Sequence, residues 1–245
     1  MYNDLMPTTS YDIRLCNSCG LRYPLVEGHP FGIRCPVCMG DTRVALSRQL
    51  IAEPDSDSHR DGAGSVKPAL SKVEVKDARH LHRAQVQVRK SFAMLMDNIR
   101  SAWNVGSILR SADGFGFTHA YLCGITPTPD NEAVKKTSLG AQDSVSWSYH
   151  KDAVKLVHGL KKEGWKVFAL EEDTRSRSIS QFPDSQFPNP VVLIAGNEVT
   201  GVDPELLELC DEIFYIPMRG EKKSFNVAIA FGIAAYAISA QNLES

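Results

Sequence analysis

The sequence has no long hydrophobic run. Its longest apolar stretch is Val227–Ile238, twelve residues that include Gly232, whereas a membrane-spanning helix needs about 20. The stretch is typical of a buried core helix instead. The first residues, Met1–Pro7, also lack a basic segment followed by an apolar one, which argues against a secretory signal peptide. We therefore expect a cytoplasmic protein with no membrane segment.

The chain also lacks an excess of charge of one sign. Lys and Arg number 27 and Asp and Glu 29, a formal net charge of −2, so the whole chain carries no signal for nucleic-acid binding. Positive charge is concentrated in residues 67–90, where seven Lys and Arg residues accompany only two carboxylates. This run is either a solvated helix face or an arm that contacts RNA phosphates. The preceding Ala52–Lys67 has almost nothing apolar to bury and is typical of a flexible linker.

Two sequence patterns are missing. No internal repeat is visible. A dinucleotide-binding oxidoreductase would carry a Gly-x-Gly-x-x-Gly turn after the first strand of its βαβ unit. Here the segment Asn104–Ile108 stands at that place and has only one glycine. The Rossmann-type oxidoreductase is therefore the weaker interpretation.

From Ser91 onward, short apolar runs alternate with segments of helical periodicity. The predicted strands are Phe92–Met96, Ala120–Cys123, Val145–Tyr149, Val167–Leu170, Val191–Ala195 and Ile213–Ile216. The predicted helices are Asn104–Phe115, Ala153–Lys162, one that starts at Asp203-Pro204-Glu205 and one that opens at Ser224. Strands that alternate with helices predict an α/β fold with a mostly parallel sheet and helices on both faces.

Four of the six cysteines form two matched pairs near the N-terminus. The pairs are Cys16 with Cys19 and Cys35 with Cys38, a C-x2-C-x15-C-x2-C pattern with a glycine after each pair. Two thiolates on a tight turn can face one Zn²⁺, and two such turns complete a tetrahedron with no open position. We therefore expect a structural zinc site, while redox dithiols or coincidence are the alternatives. Four nearby arginines could contact a nucleic acid, namely Arg14, Arg22, Arg34 and Arg43.

Three polar clusters interrupt the apolar pattern of the C-terminal part. The first holds Asn104, expected at a helix N-cap, and Arg110 six residues later, which together hint at an anion site. The second is a Gly-x-Glu-x-x-Gly turn around Glu198 after a buried strand. The third follows Ile216-Pro217-Met218 and places Asn226 at the entry to an apolar helix, where it costs stability unless paired or capping. Alone, the second and third clusters would read as structural.

Taken in order, these clusters resemble the motifs of the SpoU branch of the SPOUT methyltransferase superfamily. The family pattern is N-x-G-x-I-x-R-x-A, then G-x-E-x-x-G, then I-P-M followed by S-L-N-V-S-x-A. The chain matches it over about residues 91–242, with Phe225 in place of the usual Leu and Ala228 in place of the usual Ser. Lys135–Ala141 also resembles the family's central S-x-G-A segment. We therefore divide the chain into a zinc-ribbon-like module (1–48), a linker with a basic arm (49–90) and a SPOUT methyltransferase domain (91–245).

The resemblance implies a C-terminal trefoil knot, a homodimer and methyl transfer from S-adenosylmethionine to a ribose 2′-hydroxyl of tRNA or rRNA. The implied cofactor residues are Leu170, Gly196, Ile216, Met218 and Phe225. The implied catalytic residues are Asn104, Arg110, Glu198, Ser224 and Asn226. A guanidinium keeps its proton far above neutral pH, so we expect Arg110 mainly to orient the hydroxyl and an RNA phosphate.

Two alternatives stay within the same fold. A SPOUT-fold RNA-binding protein without activity would show damage at Arg110, Glu198 or Asn226, and all three are intact. Methylation of a base is the reaction of other SPOUT branches, and the Asn-x5-Arg opening favours the ribose.

Overall fold

The computed structural model describes residues 10–26, 32–49, 91–181, 190–222 and 224–240 of the 245-residue chain. The predicted linker and the predicted basic arm lie outside these ranges. Among the described residues, no helix is long and apolar enough to cross a membrane.

The N-terminal module is a three-stranded antiparallel sheet of order β2-β1-β3. Its strands are β1 (Ser10–Cys16), β2 (Arg22–Val26) and β3 (Thr42–Gln49). The first cysteine pair lies in the turn between β1 and β2, and the second precedes β3. A module this small has little apolar core of its own. Its buried cluster consists of Cys16, Leu21, Tyr23 and Cys35.

The larger part is built on a seven-stranded sheet of order β6-β5-β4-β9-β7-β10-β8 in which every pairing is parallel. The strands are β4 (Phe92–Asp97), β5 (His119–Cys123), β6 (Ser146–His150), β7 (Lys166–Leu170), β8 (Arg177–Ser178), β9 (Val191–Ala195) and β10 (Glu212–Tyr215). The six predicted strands are therefore confirmed, with small shifts at their ends. Parallel pairing brings all their carboxyl ends to one edge of the sheet.

In the part of the chain that the structure describes, six α-helices accompany this sheet. They are α1 (Ala102–Gly114), α2 (Glu132–Ser138), α3 (Ala141–Ser144), α4 (Ala153–Lys162), α5 (Pro204–Leu209) and α6 (Val227–Ala240). Asp203 caps α5 as predicted, because its carboxylate accepts the Glu205 amide at 2.9 Å. Helices α4 and α5, which were predicted without a family motif, therefore begin at the predicted residues.

Buried side chains form two separate cores, one on each face of the sheet. The strand β4 shows the alternation: Met94 and Met96 belong to one core, whereas Ala93 and Leu95 belong to the other. Helices α1 and α6 pack on the first face, and α4 and α5 on the second. The predicted α/β class with helices on both faces is confirmed, and the trefoil knot stays a prediction.

Two predicted helix starts are wrong by three residues. Ser101, not Asn104, is the N-cap of α1, and its hydroxyl accepts the Asn104 amide at 3.3 Å. Helix α6 begins at Val227 rather than Ser224, and the Asn226 side chain accepts the Ala228 amide at 3.0 Å. Because the Ser101 hydroxyl already accepts a backbone amide of the first turn, the Asn104 side chain is available for other hydrogen bonds.

Candidate active site and cysteine cluster

The Gly-x-Glu-x-x-Gly segment forms a closed turn directly after β9. The main chains of Asn197 and Gly201 exchange two hydrogen bonds, of 2.9 and 3.0 Å. Glycine is required at Gly196, since a Cβ there would lie 2.3 Å from the Val202 nitrogen. Tight packing of the turn on its own backbone therefore accounts for a glycine at this position.

The Glu198 carboxylate fastens this turn to the start of α1. It accepts hydrogen bonds from the Arg100 amide (2.8 Å), the Ser101 amide (3.0 Å) and the Asn104 side-chain amide (2.9 Å). A carboxylate at a helix N-terminus is also favoured by the helix dipole. The same four residues line an open pocket of about 300 Å³, so the bonds are made at a concave surface.

Asn226 joins the third cluster to the first. Its side-chain amide donates to the Asn104 side-chain oxygen at 3.1 Å, while its own oxygen caps α6. Asn104 thus donates to Glu198 and accepts from Asn226, which places the beginnings of α1 and α6 side by side. Three residues from separate parts of the sequence form one hydrogen-bonded row.

Arg110 and Ser224 stand apart from this row. Arg110 is exposed on α1, and among the described residues it forms no ion pair. Six helical residues span about 9 Å along the axis and about 240° around it, so Arg110 does not share the face of Asn104. Ser224 is also exposed. Both side chains are free to meet a ligand.

Three of the residues implied for the cofactor, Leu170, Gly196 and Ile216, lie at or just beyond the carboxyl ends of three neighbouring strands. Leu170 ends β7 and pairs in register with Ala195, the residue before Gly196 on β9. On its other side Leu170 pairs with Phe214 of β10, two residues before Ile216. Leu170, Ile216 and Met218 are half-buried, and Phe225 is 40% exposed. Partly exposed apolar side chains at a sheet edge fit a ligand with a flat ring.

The comparisons with known proteins assign a family. The sequence model described as the SpoU rRNA Methylase family matches residues 91–236. The chain belongs to this family.

Individual relatives share the same part of the chain. The tRNA (guanosine(18)-2'-O)-methyltransferase of Aquifex aeolicus is 27% identical over 169 residues, 69% of this chain and 78% of that protein. The corresponding protein of Thermus thermophilus is 30% identical over 154 residues, 62% of this chain and 76% of that one. The crystal structure of an AdoMet-bound rRNA methyltransferase from Sinorhizobium meliloti superimposes with a TM-score of 0.59 at 25% identity, covering 65% of this chain and 60% of that one.

The family domain contains every residue predicted for catalysis and for the cofactor, and none of the paired cysteines. The cysteine module is therefore an addition to the family domain in this chain. The family match therefore does not explain the four paired cysteines of this module.

The four cysteine sulfurs form a single cluster, as the spacing predicted. All four Sγ atoms lie within 4.8 Å of one another. The Cys16 and Cys38 sulfurs are 3.5 Å apart, and the Cys19 and Cys35 sulfurs 3.7 Å. Tetrahedral Zn²⁺ with Zn–S bonds of about 2.3 Å holds its sulfurs about 3.8 Å apart, so the four thiols fit this ion.

The two cysteine turns close in different ways. Gly20 takes the left-handed conformation after the first pair (φ 72°), whereas Met39 takes it after the second (φ 59°). Gly40 is needed for space instead, because a Cβ there would lie 2.6 Å from the Ser18 hydroxyl. The two glycines therefore serve their turns differently, Gly20 through its left-handed backbone and Gly40 through its lack of a side chain.

Two of the arginines considered for nucleic-acid contact are buried. Arg14 pairs with Asp12 inside the module at 3.1 Å, and Arg22 pairs with Asp203 of the family domain at 2.6 Å. The nucleic-acid hypothesis does not hold for these two. Arg34 is exposed and pairs with Asp41 at 3.5 Å.

Two acidic residues beneath the turn were not singled out in the sequence. Asp97 ends β4 and is completely buried, and this burial, together with the nearby Asp203 carboxylate, raises its pKa to about 7. Glu171 follows β7, accepts the Val202 amide at 2.9 Å, and has a pKa raised by burial. The only signal available was their position at a strand end, which many solvent-exposed acids share.

Proposed function

We propose that this protein transfers a methyl group from S-adenosylmethionine to the 2′-hydroxyl of a ribose in tRNA or rRNA. The observation that carries the proposal is the hydrogen-bonded row of Glu198, Asn104 and Asn226. Each of the three comes from a different family motif, and in this chain they support one another at the carboxyl edge of the sheet. Because its substrate is tRNA or rRNA in this proposal, the protein is expected in the cytoplasm.

The cofactor supplies a sulfonium methyl that is already electrophilic. The protein's own task is to place the ribose oxygen in line with that methyl and to keep both in place. Leu170, Gly196 and Ile216 would hold the cofactor at the ends of β7, β9 and β10, with Met218 and Phe225 nearby. In the reaction the O–CH3 bond forms, the S–CH3 bond breaks, and the hydroxyl proton leaves to water or to an RNA phosphate.

Arg110 supplies a fixed positive charge for this step. Its guanidinium can make a forked contact with a phosphate oxygen and the ribose hydroxyl. Ser224 is exposed and polar, so it is available to the ribose as well. Arg110 therefore orients the hydroxyl, and the acceptor of its proton is a phosphate or water.

The Arg110→Ala variant tests this assignment. We expect its kcat for methylation of unmodified tRNA and rRNA transcripts to fall about a hundredfold or more, with little change in the urea unfolding midpoint because Arg110 is exposed. Lys162→Ala, which removes a positive charge from α4 on the opposite face of the sheet, is the matched control. A kcat for Arg110→Ala within threefold of the wild type would refute the assignment.

We also propose that the four cysteines hold one structural Zn²⁺ ion. Four sulfur ligands leave no position for a substrate, so the ion would stabilise the module, whose apolar core is small. Atomic emission of the purified protein should show one zinc per chain, and Cys35→Ser should reduce the zinc content and lower the unfolding temperature. Cys210→Ser is the control, since Cys210 lies directly after α5, away from the cluster. One zinc per chain retained after Cys35→Ser would contradict this site.

The active form is, in this proposal, a homodimer. Helix α6 is apolar around most of its circumference, a pattern that requires cover on more than one side. One side packs on α1, but Ile229 and Tyr236, seven residues apart on the same face, are 56% and 62% exposed. Trp103 at the start of α1 is 60% exposed. A second copy of the chain would cover these side chains.

A further inference from the structure

The cysteine module docks on the same sheet edge that carries the candidate active site. The Arg22 amide donates to the Lys151 carbonyl after β6 at 2.9 Å. Ile125, after β5, packs on the buried cluster of the module. The Tyr11 hydroxyl donates to the Thr200 carbonyl at 3.4 Å, and Thr200 belongs to the turn that carries Glu198. The module therefore contacts the loops that follow three strands of the family domain.

Arg22 is the strongest polar contact of this interface. Its Nε donates to one Asp203 oxygen at 2.6 Å and its Nη2 to the other at 3.1 Å. The side chains of Arg22 and Asp203 are only 7% and 2% exposed. Nη2 also lies 3.2 Å from a Glu205 oxygen. A forked, desolvated contact of this kind restricts both partners to one orientation.

A continuous series of buried polar groups leads from Asp203 to the base of the turn. The Asp203 amide donates to Asp97 at 2.9 Å, and the Asn98 side chain donates to the other Asp97 oxygen at 2.7 Å. The Asn98 carbonyl in turn accepts the Asn197 side-chain amide at 2.7 Å. All four residues are buried, so water cannot readily replace a lost partner.

Asn197 then builds the turn itself. Its side-chain oxygen accepts the amides of Val199 at 2.9 Å and Thr200 at 3.1 Å, the two residues that follow Glu198. The position of the Glu198 carboxylate, and through it the start of α1, is set by groups that are connected to Arg22.

We propose that Arg22 is a positioning residue for methyl transfer, with the cysteine module forming a fixed part of the active-site wall through the Arg22–Asp203–Asp97–Asn98–Asn197 connection. This inference rests on the proposed function of the site. It gives the module a role inside each catalytic unit, in addition to any role in contacting RNA.

The physical reason is the buried Asp203 carboxylate, whose charge Arg22 neutralises. Without the guanidinium, Asp203 would be a buried charge with no cation, next to the buried Asp97. Removing one partner of a buried ion pair is strongly unfavourable because the other is left uncompensated. The least costly response is for the Asp203 loop to move toward water, and this movement takes the Glu198 turn with it.

Three variants of the full-length protein test the proposal: Arg22→Met, Arg22→Lys and the control Arg14→Met. Arg14 is the other buried arginine of the module, but its partner Asp12 lies in the same module. We expect Arg22→Met to lower kcat at least tenfold while the affinity for S-adenosylhomocysteine, measured by calorimetry, stays within threefold. Arg22→Lys keeps the charge but loses the fork, so its kcat should be intermediate. Arg14→Met should keep kcat within twofold.

Urea unfolding separates positioning from general stability. If Arg22→Met and Arg14→Met lose kcat in proportion to their loss of unfolding midpoint, Arg22 is merely structural and the proposal is overturned. A kcat for Arg22→Met within twofold of the wild type overturns it as well.

Hydrogen exchange of the protein without substrate keeps this test separate from the proposed function. Arg22→Met should raise amide exchange at least fivefold in residues 100–104 and 197–201, while Arg14→Met should leave both segments unchanged. Unchanged exchange in Arg22→Met overturns the connection to the turn, whatever the activity. Raised exchange in Arg22→Met, combined with a wild-type protein that methylates no RNA, would refute the proposed function and support the connection.

Discussion

Asp97 shows how much the chemistry of a residue depends on partners that are distant in sequence. It ends a strand and has no sequence feature that separates it from a surface acid. In the fold it is completely buried beside Asp203, and its pKa is raised to about 7. The titratable groups that face it are Asp203, Arg22, Cys123 and Tyr11.

The raised pKa predicts a pH-dependent stability that Asp97→Asn should remove. The folded state holds the Asp97 proton up to about pH 7, whereas the unfolded state releases it near pH 4. The contribution of protonated Asp97 to the unfolding free energy is therefore fully present below pH 4, and it is lost as the pH rises towards 7. When the pH is raised from 5 to 8, the unfolding free energy of Asp97→Asn should therefore rise by about 2–3 kcal/mol relative to that of the wild type.

Urea unfolding at these two pH values measures the difference. Asp113→Asn changes an exposed position on α1 and is the control. Its unfolding free energy should differ from that of the wild type by the same amount at both pH values. An equally constant difference for Asp97→Asn would show that Asp97 is ionised in the folded protein throughout this range.

At the scale of elements, one carboxylate joins the turn after β9 to the first helix. The start of any helix leaves backbone amides without partners. From another part of the chain, Glu198 accepts the amide of the N-cap residue Ser101 and that of the preceding Arg100. Helix α6 is added to the same junction through Asn226. Residues of the three motifs therefore form contacts between elements, which explains why the second and third motifs looked structural when considered alone.

Replacing Glu198 should loosen this junction. Glu198→Ala removes all three accepted bonds, and we expect kcat to fall tenfold to a hundredfold. Glu198→Gln keeps one oxygen but turns an NH2 group toward backbone donors, so its kcat should lie between those of Glu198→Ala and the wild type. Methylation assays with saturating substrates measure both, and Glu208→Ala on α5 is the control. Equal kcat values for Glu198→Ala and Glu208→Ala would exclude the junction from catalysis.

At the scale of the whole molecule, the exposed apolar face of α6 is the feature that the single chain leaves unexplained. An apolar side chain that is fully buried in an interface contributes roughly 1.5–3 kcal/mol, and a charge there opposes association. We expect Ile229→Glu to convert the dimer into a monomer in sedimentation velocity experiments. Its methylation activity should fall with it, because the homodimer is the proposed active form.

Ile33→Glu is the matched control for this change. Ile33 is 65% exposed in the cysteine module, so the substitution adds the same charge at a similarly exposed isoleucine. We expect it to leave the sedimentation coefficient unchanged. Equal coefficients for all three proteins would mean that the Ile229 face of α6 is not the subunit interface.

Local patterns in the sequence were enough to predict the class of fold, and the three motifs contain residues that the structure joins by hydrogen bonds. Alternation of apolar runs predicted the parallel sheet, because strands buried on both faces are apolar throughout. The spacing of the cysteines predicted one cluster, because two such turns can share one tetrahedral ion. The order of Asn104, Glu198 and Asn226 predicted that they act together, although it could not distinguish contact with a ligand from contact with one another.

Only the tertiary structure decided which groups support these residues. Ser101 is the N-cap of α1, whereas the Asn104 side chain bonds to Glu198 and Asn226. Arg22 changed from a candidate nucleic-acid contact into the buried partner of Asp203, 181 residues away. Such pairings depend on where folded elements meet, and on the cost of leaving a buried charge unpaired. Neither quantity can be read from residue types along a chain.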